Sequence, residues 1–561
     1  MVNFHSKKTE HILVYLIGIW IIIIVNQLTA YKFFRIDLTE EKKYTISDAT
    51  INMLKDLDEE VFVEVYLDGD LPAGFKRLQK SVRETLEEFK VYAGENLNFK
   101  FTDPTTAGSE KARNQYYMSL ARKGIQPTRL FDNQNGNKIE KIVLPGALVS
   151  VGTREEGVML LKGNRSKGSE EALNQSVENI EYGLANAIRK LTQIEFKKVG
   201  IIHGHGEIDS LHTSALASTL DDYYQVSHVN LRKKPDLTHL DAIIIAQPKD
   251  EFTEEDTYKI DQFIMKGGKA VFLIDMLHVD MDSASGEGTL AFPLELGLDN
   301  MFFKYGIRFN RDYILDLNCG SYPVVVGNVG DQPQVKLLKW PYFPILNNYS
   351  NQVIVKNSDA TISKFVGTID TVKAEGIVKT PLIFTSTYTR VIEAPVRVSL
   401  NDLRANLKPE MFMQGRRCVA WLLEGKFISI YKNRILPENV DQSNFLEEGK
   451  NTKIIVISDG DFVKNDFDPE THQPVELGFD PFTQNTYANS DLMVNAMTYL
   501  LDENGIITAR KKEIKIRPLD TVKIQQEKTH WQIFNLVTPV IIMIVFGLIK
   551  GFIRKRKFAN Y

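Results

Sequence analysis

Between residues 203 and 207 the chain reads His-Gly-His-Gly-Glu, two imidazoles and a carboxylate at alternate positions. Alternate side chains of an extended strand share a face, so His203, His205 and Glu207 could converge on a metal ion. Gly204 and Gly206 argue for a tight loop instead, in which the polar groups bond nearby backbone at a sheet crevice, and this is the preferred expectation. Asp275, His278, Asp280 and Asp282 form a second carboxylate-imidazole group, read as a solvated loop because no zinc or calcium ligand spacing is matched. Asp459, Asp461, Asp466 and Asp468 also fall outside the twelve-residue calcium-loop pattern. The crevice where these loops converge, with His203, His205, Glu207, Asp275 and Asp459 as its members, is the candidate small-ligand site, with no metal or cofactor assigned to it.

Other chemistries lack their parts. Hydrolysis needs a nucleophile on a sharp strand-to-helix turn, a histidine base and an orienting carboxylate. Here Asp275 follows the apolar run 271–274, Ser458 and Asp459 follow 455–457, and neither Cys319 nor Cys418 ends a comparable strand. Ser458 has no surrounding Gly-x-Ser-x-Gly elbow, so no catalytic residue is assigned and the chain reads as non-enzymatic. Residues 163–169 (GNRSKGS) resemble a phosphate loop but lack the lysine and hydroxyl required after the second glycine, so no ATPase is expected. The two cysteines exclude a disulfide-dense scaffold and a cysteine-rich zinc site; they could pair in an oxidising compartment, but sequence does not place them near each other.

The elements that would position these residues read as α/β. In the N-terminal part, Ser47 can cap a short helix, 61–67 (VFVEVYL) is a strand, and Phe75, Leu78, Val82, Leu86 and Phe89 form a helical stripe. A strand over 97–102 then favours a parallel crossover, and a helix near 109–122 and a strand within 141–151 complete a module that resembles a thioredoxin-like sheet without Cys-x-x-Cys. Residues 152–168 read as a hairpin or linker, followed by a helix with Val177, Ile180, Leu184, Ala187 and Leu191 on one face. Strands over 198–203, 225–230, 241–246 and 269–274, with helices over 213–224 and 253–266, form a doubly wound, mostly parallel sheet with sites at its strand ends. The sheet resumes with a strand over 453–458 and a helix over 491–501, for which Ser490 is a plausible cap and Gly505 a stop. Between the two parts lies a β-rich insertion.

The ends of the chain are apolar. Residues 533–549 (IFNLVTPVIIMIVFGLI) carry no charge and precede Lys550, Arg554, Lys555, Arg556 and Lys557. A charge at mid-bilayer costs about 2.5–3.5 kcal/mol on insertion scales, so this run reads as a membrane anchor with its basic tail in the cytoplasm. Pro539 does not veto it, because spanning helices tolerate proline. Residues 12–25 (ILVYLIGIWIIIIV), prolonged to Ala30, read as a second anchor; a cleavable signal peptide is the rival, though Leu28-Thr29-Ala30 is a poor cleavage site. With two spans both ends share one face, and the long stretch between them lies outside the cytoplasm.

The expected organisation is a cytoplasmic N-terminus 1–11, a span 12–30, an α/β domain 31–152, a linker or hairpin 153–175, and a central domain in two parts, 176–282 and 451–515, separated by the insertion 283–450. A juxtamembrane segment 516–532, a span 533–549 and the tail 550–561 follow. The net charge of −4 and pI near 6.3 give no basic field, so nucleic acid is not expected as a partner.

Several stretches carry a family resemblance: 33–39 (FFRIDLT), 65–77 (VYLDGDLPAGFKR), 204–207 (GHGE), 267–275 (GGKAVFLID), 422–427 (LLEGKF) with 431–434 (YKNR), and 489–495 (NSDLMVN). Found in order between two apolar ends, they make the chain similar to the GldG-like family, auxiliary or substrate-binding subunits of a gliding-motility ABC transporter. The resemblance implies partnership with a polytopic permease subunit and a cytoplasmic ATPase, in the inner membrane with a periplasmic body. It also implies a central sheet similar to class I glutamine amidotransferase-like domains. The function expected is a non-catalytic subunit coupling the transporter to envelope partners; ligand capture by the extracytoplasmic domain and an amidotransferase-like hydrolysis are the alternatives.

Overall fold

The computed structural model of the chain describes residues 7–31, 45–106, 109–134, 137–162, 168–234, 236–279, 281–284, 288–329, 332–404, 407–502, 505–511 and 521–558. It is mixed α/β with several sheets, and divides into two units, Met1–Glu513 and Ile514–Tyr561.

The first unit opens on helix α1 (Lys7–Tyr31). Ser47 then caps α2 (Asp48–Lys55), its hydroxyl accepting the Thr50 N–H at 3.3 Å. Strand β1 (Val61–Val65) pairs in parallel with β2 (Leu97–Phe101), and the crossover between them is α3 (Ala73–Ala93), whose stripe Phe75, Leu78, Val82, Leu86 and Phe89 is wholly buried. After α4 (Glu110–Arg122) come the hairpin β3 (Thr128–Gln134) and β4 (Asn137–Val143), then β5 (Gly146–Val151) and β6 (Arg154–Met159). The N-terminal sheet has the order β2-β1-β5-β6, with β5 antiparallel to both neighbours. Residues 152–159 thus turn and return as a hairpin, while 163–167 of the phosphate-loop-like stretch lie outside the described residues. Helix α5 (Ser169–Thr192) packs on β5, β6 and α3.

The central sheet is built from β7 (Lys198–His203), β8 (Gln225–Asn230), β9 (Ala242–Ala246) and β10 (Lys269–Leu273). It is completed by β13 (Asn348–Tyr349), β14 (Ile377–Phe384), β15 (Cys418–Ile428) and β16 (Glu448–Ile457), in the order β13-β14-β15-β16-β10-β9-β7-β8. From β16 to β8 neighbours are parallel, and the strands β7, β8, β9, β10 and β16 lie in the order second, first, third, fourth, fifth. The five strands expected to be parallel are so, and β13, β14 and β15, all from within 283–450, extend the sheet with antiparallel strands beside β16. A parallel pair needs a crossover, which α6 (Ser214–Asp221) supplies between β7 and β8 and α7 (Glu254–Met265) between β9 and β10.

Side-chain alternation sorts the strands onto two cores. Ala242, Ile244, Val271 and Ile455 pack with Leu216 and Leu220 of α6 and with Leu492 and Met493 of α8 (Asn489–Leu501). Ile243, Ile245, Phe272 and Val456 pack with Ile260, Phe263 and Ile264 of α7 on the other face. The residue before α8 is Ala488, which makes no side-chain cap, and Ser490 lies inside the helix with its hydroxyl 3.4 Å from Thr219 Oγ1. Ser490 is thus not the cap expected of it, because the helix starts a residue before it.

The long hairpin β11 (Cys319–Val329) and β12 (Gln332–Leu346) carries an aromatic cluster of Tyr322, Trp340, Tyr342 and Phe343. Cys319 and Cys418 are both free thiols, so the pairing open to them is not made.

The second unit holds α9 (Thr521–Phe558), which includes Pro539. Within it Glu527–Arg556 is a 30-residue stretch long and apolar enough to cross a membrane, none of it buried. In α1 the apolar run Leu13–Ile24 is shorter, with Trp20 and Ile22 63% and 67% exposed.

Candidate functional site

The strand order places a topological switch between β7 and β9, the position at which open α/β sheets bind ligands beyond their carboxyl ends. The His-Gly-His-Gly-Glu loop leaves β7 there. Gly204 and Gly206 adopt φ of 129° and 71°, and a Cβ on Gly206 would come within 3.1 Å of Lys249 Cβ. The turn drives His205 inward until it is fully buried, stacked on Phe252 at 3.9 Å with its Nε2 3.1 Å from Asp256 Oδ2. Its backbone N–H donates to Glu207 Oε2 at 2.6 Å, and its carbonyl accepts from Lys249 and Asp250 N–H at 2.8 and 2.9 Å.

Asp256 is held in turn by α7. Its N–H donates to Thr253 Oγ1 at 3.1 Å, and its carboxylate accepts from Thr253 Oγ1 and Lys259 Nζ, both at 2.9 Å. Burial pushes this carboxyl up, but the Lys259 and Thr253 hydrogen bonds outweigh it and hold the group below its ordinary value. At the switch point His205, Glu207, Asp256 and Lys259 thus bond to one another and to nearby backbone. His203 stays outside this group, with its Nε2 2.7 Å from Nδ1 of the exposed His228 on β8. Burial lowers both imidazoles, so the pair is neutral at pH 7.

Asp275 and Asp459 follow the neighbouring strands β10 and β16 at the same end of the sheet. Asp275 accepts from Gly460 N–H at 2.7 Å and Gln247 Nε2 at 2.8 Å. A Cβ on Gly460 would lie 2.7 Å from Asp275 Oδ2, so only glycine permits this approach. Asp459 accepts the Lys364 N–H at 3.2 Å through Oδ2, while its buried Oδ1 has no hydrogen-bond partner. Burial, then repulsion from Asp461, pushes Asp275 up to about 7. Burial, then Asp275 and Asp461, holds Asp459 well above the carboxylate range.

The structure therefore brings together His205 with Glu207, and Asp275 with Asp459, and joins the two groups only through 247–250. His278 is exposed on a short strand, and the side chains of Asp280 and Asp282 lie outside the described residues. Asp468 accepts from Glu470 and Thr471 N–H in its own turn. Among the described residues no three His, Cys, Asp or Glu side chains are grouped as a metal ion would need.

Beside this acidic group opens a cavity of about 260 Å³ that sequence reasoning did not find. Asp461, directly after the Asp459-Gly460 turn, lines it together with Ser363, Lys364 and the rings of Tyr322, Phe343 and Phe482. The aromatic residues come from β11, β12 and the loop before α8, far apart in sequence; the ring-dense stretch 340–343 (WPYF) was the available signal. A larger groove of about 820 Å³ runs along Arg308, Arg311 and Asp370, but there Arg308 pairs with Asp370 and Arg311 with Glu295, each at 2.8 Å.

The groups a hydrolase would use are engaged or inert. Ser458 is 2% exposed and its hydroxyl lies 2.7 Å from the Gly367 carbonyl and 3.2 Å from that of Val419. Burial pushes the Cys319 and Cys418 thiols up to about 12 and 11, away from the reactive thiolate.

A family model described as ABC-type uncharacterized transport system matches residues 197–496, the central sheet with its β-rich additions. A domain of unknown function (DUF7088) matches residues 40–150. An uncharacterized protein of Borreliella burgdorferi is 22% identical over 574 aligned residues, covering 98% of this chain and 99% of its own. Among solved structures, the mmIFT52 N-terminal domain aligns with 12% identity and a TM-score of 0.29, over 54% of this chain and 97% of that one.

Proposed function

The chain belongs to the ABC-type uncharacterized transport system family, and on that premise we propose that it is a non-catalytic auxiliary subunit of an ABC transporter. In this reading α1 and α9 both span the bacterial inner membrane, both termini are cytoplasmic, and the bulk of the chain is periplasmic. The spans seat the chain on a permease subunit and, through it, a cytoplasmic ATPase; the periplasmic domains couple that machine to envelope partners, in a system serving gliding motility. The thioredoxin-like reading of the N-terminal sheet and the amidotransferase-like reading of the central one are supported by their strand orders.

One observation carries the two-anchor reading. The segment that follows α1 and the segment that precedes α9 meet on the same helix, α5. Glu181 of α5, 3% exposed, accepts from Ser47 N–H at 2.7 Å and Thr50 Oγ1 at 3.1 Å. Residues 506–511 pack on α5 as well, with Ile506 and Ile507 buried and the Arg510 guanidinium 5.2 Å from the Tyr182 ring. The two segments also touch each other. Connections that leave the folded body from one place suit two anchors in one membrane. The excess of basic residues after 549 supports the cytoplasmic placement of the ends.

Topology mapping tests this. A reporter inserted at Ile435, which is 96% exposed, is expected to be active only as a periplasmic fusion, and one at Tyr561 only as a cytoplasmic fusion. A mid-chain reporter active in the cytosol would refute it. Ligand capture is the second reading, favoured by the cavity beside Asp461.

A further inference from the structure

We propose that the cavity beside Asp461 binds an organic ammonium ion, a small amine or quaternary ammonium with an apolar body. The first support is the wall. Tyr322 packs edge-on to Phe482 at 5.3 Å and to Phe343 at 6.1 Å, so aromatic surface faces a space of about 260 Å³. Ring faces attract cations and tolerate methyl groups, but offer nothing to an anion.

The second support is charge. Three lining carboxylates, Asp461, Asp466 and Asp480, stand against two lining ammonium groups, Lys364 and Lys464, leaving one negative charge over. The lysines already show which sign the cavity favours. Lys364 Nζ sits 5.7 Å over the Phe343 ring and 4.0 Å from Asp466, and Lys464 Nζ lies 3.9 Å from Asp461. Neither reaches hydrogen-bond distance, so the carboxylates keep capacity for a further cation.

The third support is a polar wall. Ser363 is 1% exposed and lines the cavity, with its hydroxyl set against the buried Asp459 carboxyl, so this side of the space is polar and faces the aromatic side.

The inference deepens the capture reading and can fail separately from it. Titrating the full-length, detergent-solubilised protein by calorimetry with choline, and with its uncharged isostere 3,3-dimethylbutan-1-ol, isolates the charge. Choline is expected to bind about tenfold or more tightly than the alcohol. Asp461→Asn and Phe482→Ala, the latter at a 39% exposed ring, are each expected to lose most of that preference while leaving the melting temperature within a few degrees. Equal binding of the two isosteres, a preference for the matching carboxylate 3,3-dimethylbutanoate, or undiminished choline binding in both variants would overturn the proposal. Binding of the alcohol or carboxylate alone would leave capture standing and remove only the ammonium assignment. Competition by phosphatidylcholine vesicles, but not phosphatidylglycerol vesicles, would assign the ammonium to a lipid headgroup; its absence would assign it to a soluble amine.

Discussion

Burial first, and then repulsion from Asp461, pushes the proton affinity of Asp275 up, while the hydrogen bonds from Gln247 and Gly460 and the nearby Lys249 pull the other way. The folded-state value of about 7 against an ordinary 3.8 means that the native state holds a proton that the unfolded state releases. Stability from this group is therefore full below about pH 4 and falls as pH rises to 7. Asp275→Asn removes the penalty and keeps an oxygen for the Gly460 N–H. It is expected to raise stability by on the order of 2–4 kcal/mol at pH 8 and much less at pH 5, read as melting temperature in detergent. A variant less stable than the parent at pH 8 would show that Asp275 is ionised and paired instead. At this scale sequence legibility was partial. The alternation of His203, His205 and Glu207 was visible, but its dispersal by the Gly204 and Gly206 turns, with His203 going to His228 and His205 to Asp256, depends on residues 25 and 51 positions away. Tyr322 and Ser363 carried no local pattern that tied them to Asp461.

Helix α5 touches the N-terminal sheet, α8 of the central sheet, and the segments at 47–50 and 506–511. Tyr182 donates to Asn495 of α8 at 3.0 Å, Lys190 bonds Glu156 of β6 at 2.7 Å, and Glu181 holds the start of α2. Glu181→Ala removes the acceptor of the Ser47 N–H and leaves the buried Thr50 hydroxyl with the Ser47 hydroxyl alone. The expected cost is about 1–3 kcal/mol, with faster proteolytic cleavage at the start of α2 as its local signature. Unchanged stability and unchanged cleavage would remove Glu181 from the account. Elements were the most legible scale. The 75–89 stripe, the apolar runs of β7, β9 and β10, and the helix over 253–266 all stand as read, because each is set by neighbours in sequence. The antiparallel strands β14 and β15 beside β16 were not legible as parts of that sheet, since register across a long separation leaves no periodic trace.

For the whole molecule, the exposed apolar surface of α9 is what an aqueous protein does not sustain: Leu536, Met543 and Leu548 are 74%, 71% and 69% exposed in a 30-residue stretch. The shorter apolar run of α1 gives the same signal over less length. Both apolar runs were legible because an uninterrupted series of apolar side chains is written directly into composition. The family match and the meeting of both connections on α5 then make an anchored transporter subunit the economical account of the chain. Its partners are where it is most exposed to test. The chain, solubilised gently from native membranes and captured through a tag on the exposed loop at Ile435, should bring down a polytopic permease and its ATPase. Replacing residues 533–549 with an unrelated span should abolish that recovery. Recovery without either partner, or undiminished recovery after the replacement, would contradict the proposed coupling through the membrane spans.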